Sequence, residues 1–153
     1  MTHRLTLADE AATLAIGAAL AEVLRAGDVV TLDGPLGAGK TTLARGLLHR
    51  LGLDGEVASP TFPIVIPYES GLRLPVWHVD LYRIEAPDEA EELGLDEALE
   101  DGALLVEWAS RLGTDPWPDA LALSIEPVPG GGRRLTWTAG PAWERRWPPD
   151  PKR

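Results

Sequence analysis

Gly34-Pro35-Leu36-Gly37-Ala38-Gly39-Lys40-Thr41-Thr42 fits the spacing G-x-x-x-x-G-K-[ST] and lies between an apolar run and a helical pattern. Glycine admits backbone angles that turn successive N–H groups into one concavity. The positive end of a following helix adds to the pull on an anion. The stretch therefore reads as a phosphate-binding loop. Its backbone from Gly37 through Ala38, Gly39, Lys40, Thr41 and Thr42 would cradle the phosphates of ATP. Lys40 would meet the β/γ oxygens, and the Thr41 hydroxyl would take one site on an octahedral Mg²⁺. The context that the motif requires is present: Val29-Val30-Thr31-Leu32 precedes it, and Leu43, Leu47, Leu48 and Leu51 follow at helix-face spacing. The chain carries 12 Arg but only two Lys, Lys40 and Lys152, so a compact ammonium was selected here where Arg is the habitual cation.

A length of 153 residues suits one domain with one core. With 44% hydrophobic and 25% charged residues, the composition is globular rather than disordered. No run approaches the roughly 18 apolar residues of a membrane span, and Met1-Thr2-His3-Arg4 opens no signal-peptide core; the expected compartment is the cytoplasm, with no membrane partner. Zero cysteines exclude a disulfide framework and a thiolate zinc site. A net charge of −10 opposes unaided binding to a nucleic-acid backbone, so any RNA would be held by another protein. Ten acids crowd residues 80–101 against the single Arg83, which reads either as a solvated helical face or as a docking surface for a basic partner.

In chain order, Arg4-Leu5-Thr6-Leu7 suits a short edge strand. Thr6 reads as the N-cap of a helix that carries Asp9 and Glu10 in its first turn, shows Ile16, Leu20, Val23 and Leu24 on one face, and ends at Gly27. The adenine of a nucleotide could lie near this helix start, at Glu10; the pattern itself does not show that, and Glu10 and Thr13 read more simply as ordinary first-turn residues. Prolines 60 and 63 make a shaped loop in which Ser59 and Thr61 share one side; their hydroxyls either meet a γ-phosphate or cap local backbone. Residues 64–68 and 72–79 flank Glu69-Ser70-Gly71 as a hairpin, which makes the sheet mixed. The second of these strands delivers Asp80, as a Walker-B acid should be delivered. Helical material is expected to start in Glu85-Ala86-Pro87-Asp88 and run to Leu93, with a break at Gly94 and another short turn of helix at residues 95–100. The apolar run Ala103-Leu104-Leu105-Val106 reads as a buried strand that delivers Glu107 and Trp108. Asp80 and Glu107 thus emerge from neighbouring strand ends, where α/β sheets bind ligands and where Mg·ATP needs acids to hold the ion and orient water. His78 points either to that site or into a packed face. Residues 120–125 and 134–138 close the sheet as an antiparallel hairpin, and residues 139–153, without a periodic core pattern, read as a mobile tail, although Trp143 and Trp147, four apart, could instead pack as a short turn or anchor onto a partner.

The fold class expected is α/β: a single phosphate-loop NTPase domain over residues 1–138, with a mixed, mostly parallel sheet flanked by helices. A small-molecule kinase would need an Arg-rich lid, but Arg45, Arg50, Arg73 and Arg83 do not cluster in sequence. A nucleotide-dependent binding module without catalysis is the other rival.

The glycine-rich loop, then Ser59-Pro60-Thr61-Phe62, His78-Val79-Asp80-Leu81-Tyr82-Arg83 and Glu107-Trp108, resembles in order and spacing the bacterial TsaE family of tRNA threonylcarbamoyladenosine biosynthesis ATPases. That resemblance implies an ATPase, slow alone, that acts with a TsaB–TsaD complex to modify N6 of adenosine 37 in tRNAs reading codons that begin with A. It implies Thr41 and Glu107 as Mg²⁺ ligands, Lys40 on the phosphates, Asp80 as the acid needed for hydrolysis, and residues 59–61 as a switch-like loop. Trp108 matches the aromatic beside the metal-binding acid. Pro63-Ile64 departs from the family's more usual Thr-Leu.

Overall fold

The computed structural model describes residues 2–35, 37–58, 65–86, 88–113 and 116–148. Its strands are β1 (Thr2–Leu7), β2 (Val29–Asp33), β3 (Val65–Tyr68), β4 (Val76–Asp80), β5 (Ala103–Glu107), β6 (Leu121–Pro127) and β7 (Arg133–Ala139). The helices are α1 (Glu10–Val23), α2 (Lys40–Leu51) and the single turns α3 (Asp88–Glu91) and α4 (Leu95–Ala98), with a 3-10 turn at Ala109–Leu112. All seven strands form one sheet in the order β1-β7-β6-β2-β5-β4-β3. Pairings β6–β2, β2–β5 and β5–β4 are parallel, whereas β3–β4, β6–β7 and β7–β1 are antiparallel. The mixed sheet and the C-terminal hairpin are as expected. The parallel share is one half rather than most, because β1 returns to the hairpin side and pairs with β7.

Strand alternation sorts the apolar side chains into two layers. Val30, Leu32, Ala103, Leu105, Leu121 and Leu123 face a core shared with α1 and α2, while Val29, Leu104, Val106 and Val79 face a smaller one with α3 and α4. β2 and β5 are covered on both faces, which is why they read as continuous apolar runs. Helices α1 and α2 approach so closely that a Cβ on Gly17 would lie 2.1 Å from Leu43 O, and one on Gly46 would lie 2.2 Å from Leu14 O. Asp9, not Thr6, caps α1: its Oδ1 accepts from Ala12 N at 2.9 Å, because β1 keeps Thr6 paired with Arg134 and runs on to the buried Leu7.

The expectation of an unpacked tail is corrected for residues 139–148. Trp143 and Trp147 are 1% and 4% exposed, within the α1/α2 core. Arg146 spans Asp28 with two bonds of 2.6 and 2.7 Å, donates to Val23 O at 2.6 Å, and lies 4.0 Å over the Trp143 ring. Two indoles four residues apart give too short a pattern to register as periodicity, yet together they bury enough apolar surface to seat the segment.

Candidate functional site

The glycine-rich loop leaves the C-terminal end of β2 and enters α2 through Gly39, whose φ of 110° lies in the left-handed region that glycine favours. No side chain caps α2, so the amides of its first turn, Lys40, Thr41 and Thr42, have no partner within the helix and carry the positive end of its dipole. These residues line a cleft of about 810 Å³ with Gly37, Gly39, Glu10, Asp80 and Glu107, bringing together most of the predicted site. Ala38 is buried beneath the loop instead: its N–H donates to Pro35 O at 3.1 Å. Ser59 and Thr61 lie outside the described residues.

The two acids sit side by side because β4 and β5 pair in parallel with Asp80 opposite Glu107. Lys40 Nζ approaches Glu107 Oε1 at 3.3 Å and lies 5.5 Å from the centroid of Trp108. The other oxygen, Oε2, accepts from His78 Nε2 at 2.7 Å. Burial pushes the Glu107 carboxyl up, but the His78 bond and charge together with the Lys40 ammonium outweigh it and hold the group below the usual range. Asp80 is raised, chiefly by burial and further by the Glu107 charge, against a 2.9 Å bond from Tyr82 N, Lys40 and His78. Asp33, at the mouth of the loop, is also raised, by burial first.

Two features were not predicted. Arg133, the first residue of β7, clamps the loop from outside, donating from Nε to Ala38 O at 2.7 Å and from Nη2 to Gly37 O at 3.2 Å. Its only sequence signal is its place after the glycine turn 130–132, which fixes no partner. Trp108 has φ 60°, the sole positive φ of a non-glycine among the described residues. A bulky residue held there stores on the order of 1–3 kcal/mol of strain, as occurs at functional sites. The twist presents its ring to Lys40 and to Tyr82, at 4.9 Å between centroids. His78 lies in the packed face, 0% exposed and outside the cleft lining, and touches the site only through its bond to Glu107.

Chemically, an amide-lined helix start plus an ammonium suits a chain of phosphates, and Thr41, Glu107 and Asp80 offer only hard oxygen donors. Among the described residues no group of three His, Cys, Asp or Glu could hold a metal by itself. That donor set fits Mg²⁺, which takes one or two protein oxygens and completes its shell with phosphates and water. Among the described residues, no helix is long and apolar enough to cross a membrane.

Fold and cleft together define an α/β protein with a glycine-rich loop and a helix start at the C-terminal edge of a mixed sheet. Residues 7–134 match the family described as threonylcarbamoyl adenosine biosynthesis protein TsaE. A tRNA threonylcarbamoyladenosine biosynthesis protein TsaE from Bacillus subtilis is 43% identical over 128 residues, covering 83% of this chain and 79% of the relative. The protein of that name from Streptomyces coelicolor is 47% identical over 117 residues, covering 75% and 79%. The crystal structure of YdiB from Bacillus subtilis superposes with a TM-score of 0.78 at 33% identity, over 95% of this chain and 89% of that one. The chain belongs to the TsaE family, which serves tRNA threonylcarbamoyladenosine biosynthesis.

Proposed function

We propose that this chain hydrolyses Mg·ATP in support of threonylcarbamoylation of adenosine 37 in tRNAs reading codons that begin with A, acting with a TsaB–TsaD complex. The observation that carries the reading is the convergence on one helix start of Lys40, Glu107 at 3.3 Å from it, and Asp80 in register with Glu107. The first-turn amides of α2 and Lys40 bind the β- and γ-phosphates. Thr41 and Glu107 would hold Mg²⁺, which supplies neutralisation of the phosphate charge. Asp80 orients the attacking water in line with the leaving oxygen; burial raises it, which makes it a better proton acceptor than an exposed carboxylate. Glu10 and Thr13, at the start of α1, line the end of the cleft available to the nucleoside. Arg83 also lines the cleft and is the candidate cis cation for the transition state. Arg133 donates to the loop carbonyls of Ala38 and Gly37, so it braces the loop. A single cis cation accounts for the slow unaided turnover expected.

The partner reading rests on the family and on charge. A chain of net charge −10 is a poor ligand for tRNA, so the partners would hold the RNA. The test is Mg²⁺-dependent phosphate release by the purified protein, alone and with TsaB–TsaD and tRNA. Release should rise with the partners and accompany tRNA modification, while Lys40→Ala or Glu107→Ala should lower it by on the order of 100-fold or more. Unchanged release in both variants would falsify the site; transfer of the γ-phosphate to a metabolite would make the protein a kinase.

A further inference from the structure

A histidine buried only for packing would be expected to satisfy its ring nitrogens on nearby backbone. His78 does not do this. The residue is 0% exposed, and among the described residues its Nδ1 has no hydrogen-bond partner and the one polar contact of the ring is the 2.7 Å bond from Nε2 to Glu107 Oε2. Leucine would fill such a place without an orphaned nitrogen, so the ring is retained for the bond it makes.

Strand geometry explains how the bond arises. His78 and Asp80 are two apart on β4 and share a face, with Val76 of the α1/α2 core below them. In register, Leu105 stands opposite His78, and Glu107 stands opposite Asp80. His78 therefore meets Glu107 on the diagonal, one pleat beneath the mouth of the cleft, a reach that a ring of this length spans. The two Glu107 oxygens are thereby divided. Oε2 is held from below by a ring locked in the core, while Oε1 faces Lys40 Nζ at 3.3 Å, the tip of a flexible four-carbon stem. Phosphate oxygens compete for that ammonium, so Oε1 is the oxygen whose partner can change.

We propose that His78 is the positioning residue that fixes the Glu107 carboxylate and leaves one oxygen, Oε1, aimed at a phosphate-bound divalent cation. The inference rests on the Mg·ATP reading given above. Held by one oxygen, Glu107 presents the other in a single direction, as the octahedral, single-oxygen coordination of Mg²⁺ demands. A carboxylate without that support would turn to chelate through both oxygens or fold back onto Lys40 with both. Partners that orient a metal ligand in this way typically govern about 10–100-fold in metal affinity.

The experiment separates metal from nucleotide. Mn²⁺ affinity in the presence of ADP, read by electron paramagnetic resonance, and metal-free affinity for a fluorescent ATP analogue are measured for the unsubstituted protein, His78→Leu, His78→Asn and His78→Gln. Gln carries an N–H₂ close to the place of Nε2, whereas Asn falls short of Oε2 and Leu has no donor. His78→Leu and His78→Asn should weaken Mn²⁺ binding by about 10–100-fold and leave metal-free nucleotide affinity within about twofold, and His78→Gln should recover most of the loss. His78→Asn carries the test should His78→Leu fail to fold. Unchanged Mn²⁺ affinity in a folded variant overturns the proposal, and so does an equal loss of metal-free nucleotide affinity, which would mark a general lesion of the loop. If the unsubstituted protein binds neither nucleotide nor Mn²⁺, the Mg·ATP reading falls, and the role of His78 falls with it.

Discussion

Asp80 is a residue whose value to the site opposes its value to the fold. Its folded-state carboxyl is raised, by burial first, so it binds a proton more tightly folded than unfolded. The stability it lends is therefore complete below the unfolded carboxylate range and is lost as pH rises through the raised folded value. At pH 7 the ionised group is a net burden, and Asp80→Asn, which keeps an acceptor for Tyr82 N, should raise Tm by about 2–4 °C for each kcal/mol relieved. Calorimetry at pH 7 and near pH 3 checks this: the gain should vanish at the acid end, while phosphate release is lost at pH 7. Glu107 has the opposite sign. Its lowered value contributes stability above the unfolded range that is lost as pH falls through the folded value. Trp108 poses a purely conformational question. Trp108→Ala and Trp108→Gly remove the same ring but differ in tolerance of φ 60°, so in urea titrations the Gly variant should be more stable by about 1 kcal/mol. Equal phosphate release by the two would assign the function of Trp108 to its ring, and faster release by the Gly variant would assign it to the backbone.

Among the elements, α1 and α2 depend on glycines that no helical pattern announces. Gly46 and Gly17 let each helix lie against the other's backbone, where a Cβ would come within 2.2 Å of a carbonyl. Gly46→Ala should therefore destabilise by about 1–3 kcal/mol despite the better helix propensity of alanine, and, because α2 begins at the glycine-rich loop, should also weaken the nucleotide binding proposed for it. Urea denaturation and nucleotide titration check the pair; a stabilised variant would mean that the helices stand further apart. The sequence discloses elements unevenly for the same reason. β2, β5 and α2 were legible because burial on a sheet face or a helix stripe leaves a period in the side chains. Asp80 and Glu107 were legible as strand ends, and their pairing followed from the parallel order. The cap at Asp9 is not legible in the sequence because Thr6 and Asp9 are both good caps, and only pairing to β7 removes Thr6. The His78 bond stayed hidden because strand register alone brings its partners together, and the Arg133 clamp because it joins the start of β7 to a loop 95 residues away in sequence.

For the molecule as a whole, the C-terminal segment is packed where its sequence shows no core period, and it lies beyond the stretch, residues 7–134, that matches the family. It closes the end of the sheet remote from the cleft. Asp28 stands just before β2, whereas the site gathers at the far ends of β2, β4 and β5. Asp28 is 8% exposed, and its carboxylate is satisfied by Arg25 N at 2.7 Å and by the Arg146 guanidinium. Arg146→Met would keep much of the stem over Trp143 while leaving a nearly buried charge short of its main partner, at a cost of about 3 kcal/mol. Adding Asp28→Asn should recover part of that loss, because the desolvated charge goes with it. A double-mutant cycle in urea measures the coupling, and additivity of the two changes would show that the pair contributes nothing. Phosphate release at a temperature where every variant is folded should stay within about twofold of the unsubstituted protein, since no link of the Lys40–Glu107–His78 chain passes through this end of the sheet. A large loss of release in a folded Arg146→Met protein would mean that the two ends of β2 are coupled, and that the C-terminal segment helps to set the glycine-rich loop rather than only to hold the fold closed.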